Sequence, residues 1–476
     1  MNVRKLLSDM AIAFGAQGVS FLCSVITTLL VPKVLGLDGF SYWQLFIFYT
    51  SYVSFFQLGL NDGVYLRHGG QTRDRIDIGL IRGELHVGLI YQSVAAFLIS
   101  IYGIAFEEDA GRTVVVLAAA VFLLLSNTTF YISYVFQAMN ETKLASYSTI
   151  VNRATYLISL VVCIFLKVED FAVYVFFFLL SQAFSLLYCL WKARDFAKVA
   201  PLSFMESARE TFRSMKMGIV LTLANVSGML IMGMARIVID AVWGLSLFGQ
   251  VSLSLSIVNF ALAFISQAAM VLFPALRMLD SEQERVCFIQ MRDGLGVLLP
   301  VAMLLYAPLR AVVGLWLPEY AEGLFYLALL FPVCLFEMQT NLTVATFLKV
   351  RCAQKALLCL NLAALCCTLL AQCGAVFIIN SPVAVLLASL FGVSVRYVLG
   401  MRYLEGVYRS KNPKMIICIT MESVLFVCAA YFLSLAASFL VCVFLVGVHY
   451  VVCRKETKSA LANFRRISGV GRGADC

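Results

Sequence analysis

Four arginines, Arg153, Arg236, Arg310 and Arg396, stand inside apolar runs long enough to cross a lipid bilayer. An ionised group at that depth costs about 2.5–3.5 kcal/mol on insertion scales, so it is rare there and usually functional. The chemistry open to it is narrow. A guanidinium stays charged and offers a planar fork of donors that matches carboxylate or phosphate oxygens two at a time. Several of them around a wet cavity would bind an anionic group. Arg153, Arg310 and Arg396 have no acid three or four places away in their own runs. Each therefore needs a partner on another helix or a watery lining. Arg236 can instead pair with Asp240 one turn on, or reach to the outer interface.

Acids and amides at similar depth form a second group. Glu337 shares a helix face with Asn341, four residues on, with Thr340 beside them. It reads either as the neutralising partner of one arginine or as a carrier of a coupling proton. Asn225, Asn259 and Gln267 would line the same space, an ordinary interhelical hydrogen bond being the alternative for each. Glu422 lies in the inner third of a later run, while Glu84, Asp62 and His449 read as boundary residues. Nothing is arranged for covalent chemistry. His68, His86 and His449 fall on different runs, and no phosphate-binding GxxxxGK[ST] occurs. The 15 cysteines have no zinc-type spacing and read as small hydrophobes. The expectation is a protein that is not an enzyme and needs neither cofactor nor metal.

The elements that hold these groups must be membrane helices. The 476 residues are 62% hydrophobic and 13% charged, with a mean hydropathy of +0.91. A soluble protein is about 45–50% apolar and about 25% charged. A ruler of about 20 apolar residues gives fourteen spans. Six lie in a first lobe at 1–192, and six in a second at 217–404. A further pair, 415–433 and 436–453, falls in 405–453. Residues 193–216 form a linker, whose segment Pro201–Arg213 suits either a short interfacial helix or a solvated tether. Residues 454–476 form a basic tail. The run that starts the chain is read as an uncleaved first span, despite the Ala11-Ile12-Ala13 that mimics a cleavage site.

The net charge of +9 follows the loops. With the first residue inside, the outer loops carry only Lys33, Arg112 and Lys167, and nearly all other Lys and Arg fall inside. This is the positive-inside pattern. It puts both termini in the cytoplasm and makes anionic lipid headgroups, not nucleic acid, the neighbours of the basic excess. A weak repeat crosses the chain at an offset of about 208 residues: Gly36 matches Gly244, Phe40 matches Phe248, and Pro32 matches Asp240. Two similar bundles are expected, with a site between the repeats, as in many transporters.

The run with Pro32 and Gly36, the Asn61-Asp62-Gly63 and the segment WGLSLFGQVSLSLSIVNF…VLFPALR up to Arg277 carry a resemblance. Together they resemble the polysaccharide (O-antigen and capsule) flippase family of the multidrug/oligosaccharidyl-lipid/polysaccharide exporter superfamily. That resemblance implies an all-α integral membrane protein with two pseudo-symmetric six-helix bundles in a V plus two C-terminal helices. It implies an ion-coupled, alternating-access flippase in a bacterial inner membrane, moving an undecaprenyl-diphosphate-linked oligosaccharide from the inner to the outer leaflet. Arg153, Arg310 and Arg396, with Arg236, are matched by depth to the cationic lining of such flippases, and Glu337, Asn341, Asn225 and Asn259 to its polar or ion-coupling part. Implied partners are the lipid-linked glycan, membrane lipids, and a polysaccharide polymerase with its chain-length machinery. A lipid II flippase or a cation-coupled multidrug exporter shares the fold; the exporter would call for acids where this chain has arginines. A membrane polysaccharide polymerase would need a large outer loop, which the sequence lacks.

Overall fold

The structure, a computed structural model, describes residues 3–276 and 279–460, with side chains for all of these except 3–14, 260, 261 and 263–275. Gln267, Phe273-Pro274, Arg277 and the tail beyond 460 lie outside the described side chains. Among the described residues the regular structure is helical throughout. It divides into two compact units, residues 1–226 and 227–476.

The first unit holds α1 (Val3–Leu29), α2 (Val31–Tyr52), α3 (Leu60–His68), α4 (Ile78–Phe106), α5 (Ala110–Ala138), α6 (Thr142–Phe165), α7 (Phe171–Lys192) and the start of α8 (Phe204–Trp243). The second holds the rest of α8, then α9 (Leu245–Leu276), α10 (Ser281–Ala302), α11 (Tyr306–Trp316), α12 (Leu324–Gln339), α13 (Thr346–Val350), α14 (Gln354–Gly374), α15 (Pro382–Val407), α16 (Pro413–Phe432) and α17 (Leu435–Val452). Eleven stretches of the described helices are long and apolar enough to cross a membrane, and the pair Gly15–Leu29 and Val31–Gln57, bent by 71°, would add one. Of α9, Leu245–Asn259 has described side chains and qualifies only as a shorter apolar helix.

Acids at several helix starts have a local job. Asp77, Asp109 and Asp170 each accept a hydrogen bond from a backbone N–H of the following first turn, at 3.0, 2.9 and 2.8 Å. Asp280 and Gln283 form a reciprocal capping box that starts α10 at Ser281, well before the apolar run begins. Gly36 breaks α2 with φ of 66°, and Gly244 separates α8 from α9 with φ of 89°. Both angles favour glycine, which has no Cβ to clash. The two glycines paired by the 208-residue offset thus both take a positive φ at a helix break.

In the first unit the core is α5, packed on α4, α7 and α2. Trp43, Phe46, Phe122, Tyr156 and Phe178 interlock there, the Phe46 and Phe178 rings meeting edge-on at 5.5 Å. The core of the second unit is α12, apolar over most of its surface and almost wholly buried against α9, α15 and α16. One crossing in the first unit requires glycine. A Cβ on Gly63 of α3 would fall 1.9 Å from the Ser214 carbonyl oxygen of α8, and one on Gly218 would fall 2.0 Å from that of Gly59.

Each unit also ties three helix ends with one charged residue. In the first, Arg73, just before α4, binds Glu141 at the start of α6 at 2.6 Å and Asp195 after α7 at 2.7 Å. In the second, Glu284, in the first turn of α10, binds Arg351 at the end of α13 at 3.2 Å and accepts from the Tyr408 hydroxyl after α15. The three ends correspond, and the central charge is reversed.

Candidate functional site

Arg396 is the most enclosed of the arginines placed at membrane depth, 8% exposed on α15. Its Nη1 donates to Glu337 Oε1 of α12 at 2.8 Å, and its Nε donates to Asn361 Oδ1 of α14 at 2.8 Å. The other Glu337 oxygen accepts from Asn341 Nδ2 at 3.2 Å. A Cβ on Gly228 of α8 would stand 3.1 Å from Arg396 Nη2, so the absence of a side chain there makes room for the guanidinium. Four helices of the second unit therefore meet at one charge pair. Directly beyond Glu337 the backbone loosens into a π-turn over Thr340–Ala345, the kind of helix defect that often marks a functional position.

The sequence reading brought Glu337 and Asn341 onto one face, and they are hydrogen-bonded. It left each of the three arginines to find a partner on another helix or a watery lining, with Glu337 as one such partner. Arg396 has taken it: the acid is on another helix, 59 positions away, and Arg396 is not a free charge. Of Arg153, Arg310 and Arg396, it is the one with a carboxylate partner among the described residues. Arg310 of α11 donates to the Tyr306 hydroxyl at 2.7 Å, one turn back on the same face. Tyr306 is itself wedged between Phe331 and Phe426. Arg153 of α6 is half-buried, and its backbone carbonyl accepts from the Cys23 thiol of α1 at 3.2 Å. Arg236 lays its guanidinium over the Phe248 ring, 4.8 Å from the centroid. Asn225 and Asn259 are exposed and belong to different units.

Sequence reasoning missed two features. Asn361 is an amide inside an apolar run, a signal available from the composition of that run alone. The second is Glu84 of α4, read as a boundary residue but fully buried. It accepts from Ser214 at 2.7 Å and Tyr131 at 3.1 Å and pairs with Arg67 of α3 at 3.1 Å, while Arg67 also binds Glu210. This knot fastens the start of α8 to α3, α4 and α5 within the first unit.

A comparison of the sequence with known families decides the wider identity. Residues 6–280, more than half of the chain, match the family described as "Polysaccharide biosynthesis protein". The chain belongs to the polysaccharide biosynthesis protein family. No curated protein matches it significantly. Among solved structures, this family member is similar to the lipid II flippase MurJ in an inward closed conformation, with a TM-score of 0.60 and 10% identity, over 96% of this chain and 100% of that one. It is also similar to an inward-facing multidrug resistance MATE family transporter of the MOP superfamily, with a TM-score of 0.57 and 13% identity, over 85% and 98% of the two chains. The chain is thus a multi-pass membrane protein with the transporter fold of that superfamily.

Proposed function

We propose that this protein is a flippase that carries an undecaprenyl-diphosphate-linked oligosaccharide from the inner to the outer leaflet of a bacterial cytoplasmic membrane by alternating access. The observation that carries the reading is that Arg153 and Arg310 sit in apolar helices without a carboxylate partner among the described residues, in a member of a polysaccharide biosynthesis family. A fixed guanidinium at membrane depth suits a phosphate group, because bidentate charge-assisted bonds offset the hydration it loses. The polyprenyl tail would stay in lipid throughout, so only the headgroup needs a polar path through about 30 Å of hydrocarbon. Arg396, already balanced by Glu337, serves better as part of an ion-sensitive element. Ion coupling through Glu337, with Asn341 and Asn361 as its supports, is the matching proposal.

The test is reconstitution into liposomes holding a fluorescent polyprenyl-diphosphate sugar, with outer-leaflet label scored by a membrane-impermeant quencher. Arg153→Ala and Arg310→Ala each lower the flipping rate by about tenfold or more, the size of one lost charged hydrogen bond, while the melting temperature holds. Arg→Lys at the same sites recovers only part, since an ammonium lacks the planar fork. Full activity in both Ala variants would overturn the reading.

A further inference from the structure

The two helices that follow α15 contain a titratable couple that the transport reading leaves unused. Glu422 stands near the middle of α16 and His449 in the last turn of α17. His449 Nδ1 lies 2.7 Å from Glu422 Oε1, and the residues are 1% and 7% exposed. The remaining polar atoms, His449 Nε2 and Glu422 Oε2, are buried too and have no hydrogen-bond partner among the described residues. If a neutral ring donates its Nδ1–H to the carboxylate, both of these atoms are acceptors. The couple then carries one negative charge in an apolar surrounding and lacks a donor. One added proton on Nε2 cancels that charge, leaving an imidazolium beside a carboxylate.

Among the described residues no fixed cation performs that service. The pair packs on α10, α11 and α12, and the charges there are engaged elsewhere. On α10, Arg292 binds Asp293 and Glu405. On α11, Arg310 is held by Tyr306, and on α12, Glu337 is held by Arg396. Within α16 and α17 the titratable neighbours are Cys418 and Tyr450, which feel the Glu422 charge, and Cys453. The Tyr450 hydroxyl is directed to the Val297 carbonyl at 3.3 Å, and the Cys418 and Cys453 thiols meet each other one turn away. Lys414 and Glu456 lie beside those thiols.

We propose that Glu422 and His449 form a proton-binding site inside the membrane, taking up one proton per chain at the imidazole Nε2. The reaction is a plain protonation: hydronium gives its proton to the ring nitrogen lone pair, water leaves, and no other bond changes. Occupancy then sets whether α16 and α17 are joined by a neutral ion pair or by a net negative couple. The packing of this helix pair is in this way tied to pH.

The experiment is nitrogen NMR of the full chain in lipid nanodiscs with 15N-labelled histidine. His68→Gln and His86→Gln remove the other two signals without touching the couple. Between pH 5 and 9 the His449 ring is expected to pass from doubly to singly protonated in one step. Glu422→Gln, which leaves the imidazolium unbalanced, shifts that step to lower pH by about one unit, a tenfold loss of proton affinity. A ring that keeps one form across the range, or a step that Glu422→Gln leaves in place, overturns the proposal. Should the Glu422→Gln chain fail to fold, 13C-labelled glutamate in the unaltered protein decides. The Glu422 carboxyl signal must move together with the His449 nitrogens, and independent movement refutes the site.

Discussion

Arg396 on α15 and Glu337 on α12 form a 2.8 Å ion pair in the interior of the second unit, although 59 positions separate them in the chain. Such a pair repays the cost of removing its members from water only while both are present. Losing one partner of a buried pair costs about 3–5 kcal/mol, whereas replacing both with apolar residues is often neutral. Arg396→Ala is therefore expected to lower the melting temperature of the purified protein sharply, and Arg396→Leu combined with Glu337→Leu to recover much of it. Equal losses in the single and double variants would show that the two side chains do not depend on each other.

The glycine crossing between α3 and α8 makes a sharper steric prediction. Gly63→Ala puts a methyl group against backbone at 1.9 Å, so α3 or α8 must shift. Overpacking of this kind costs about 1–3 kcal/mol. Gly447 of α17 has nothing within 4 Å of its would-be Cβ. Gly447→Ala should be neutral or slightly stabilising, since alanine is the better helix former by up to ~1 kcal/mol. Thermal unfolding of the two variants side by side checks the contrast.

His68, at the end of α3, gives a pH dependence whose sign can be stated. Burial holds its imidazole below the ordinary value, against a weaker opposite pull from Gln71, whose Oε1 lies 3.3 Å from Nδ1. The unfolded chain, with an imidazole pKa of about 6.5, then binds a proton before the folded one does. Stability is accordingly lost as pH falls through about 6.5 toward the lower folded value. Melting curves at pH 8 and pH 5.5 should show a smaller acid-induced loss in His68→Gln than in the unaltered protein. An identical loss in the two would remove His68 as the cause.

Membrane sidedness follows from the loop charges and can be read directly. An alkaline phosphatase fusion at Ser434, between α16 and α17, is expected to be active, and one at Lys411, between α15 and α16, silent. The reverse pattern would invert the orientation inferred from the basic loops.

Much of this architecture was legible because the bilayer imposes a coarse rule. Apolar runs had to be helices, and the glycines matched at 36 and 244 both fall at helix breaks. The sequence conveys depth along a helix but not the direction a side chain faces. That is why Glu84 passed for a boundary residue, and why the arginine that Glu337 balances stayed open. The segment Pro201–Arg213 was equally opaque, since its polar residues suit a tether as well as a helix. In the structure α8 runs unbroken from Phe204 to Trp243, and its polar start is held by Arg67 through Glu210.

The reversed polarity of the two end-clamps bears on how a chain of two helical units assembles correctly. Two halves of similar hydrophobicity, emerging one after the other into a membrane, invite exchange of equivalent helices. An α10 misplaced into the first half would set Glu284 against Glu141 and Asp195, and an α4 misplaced into the second would set Arg73 against Arg351. Both errors bring like charges together, so the first half favours α4 and the second α10.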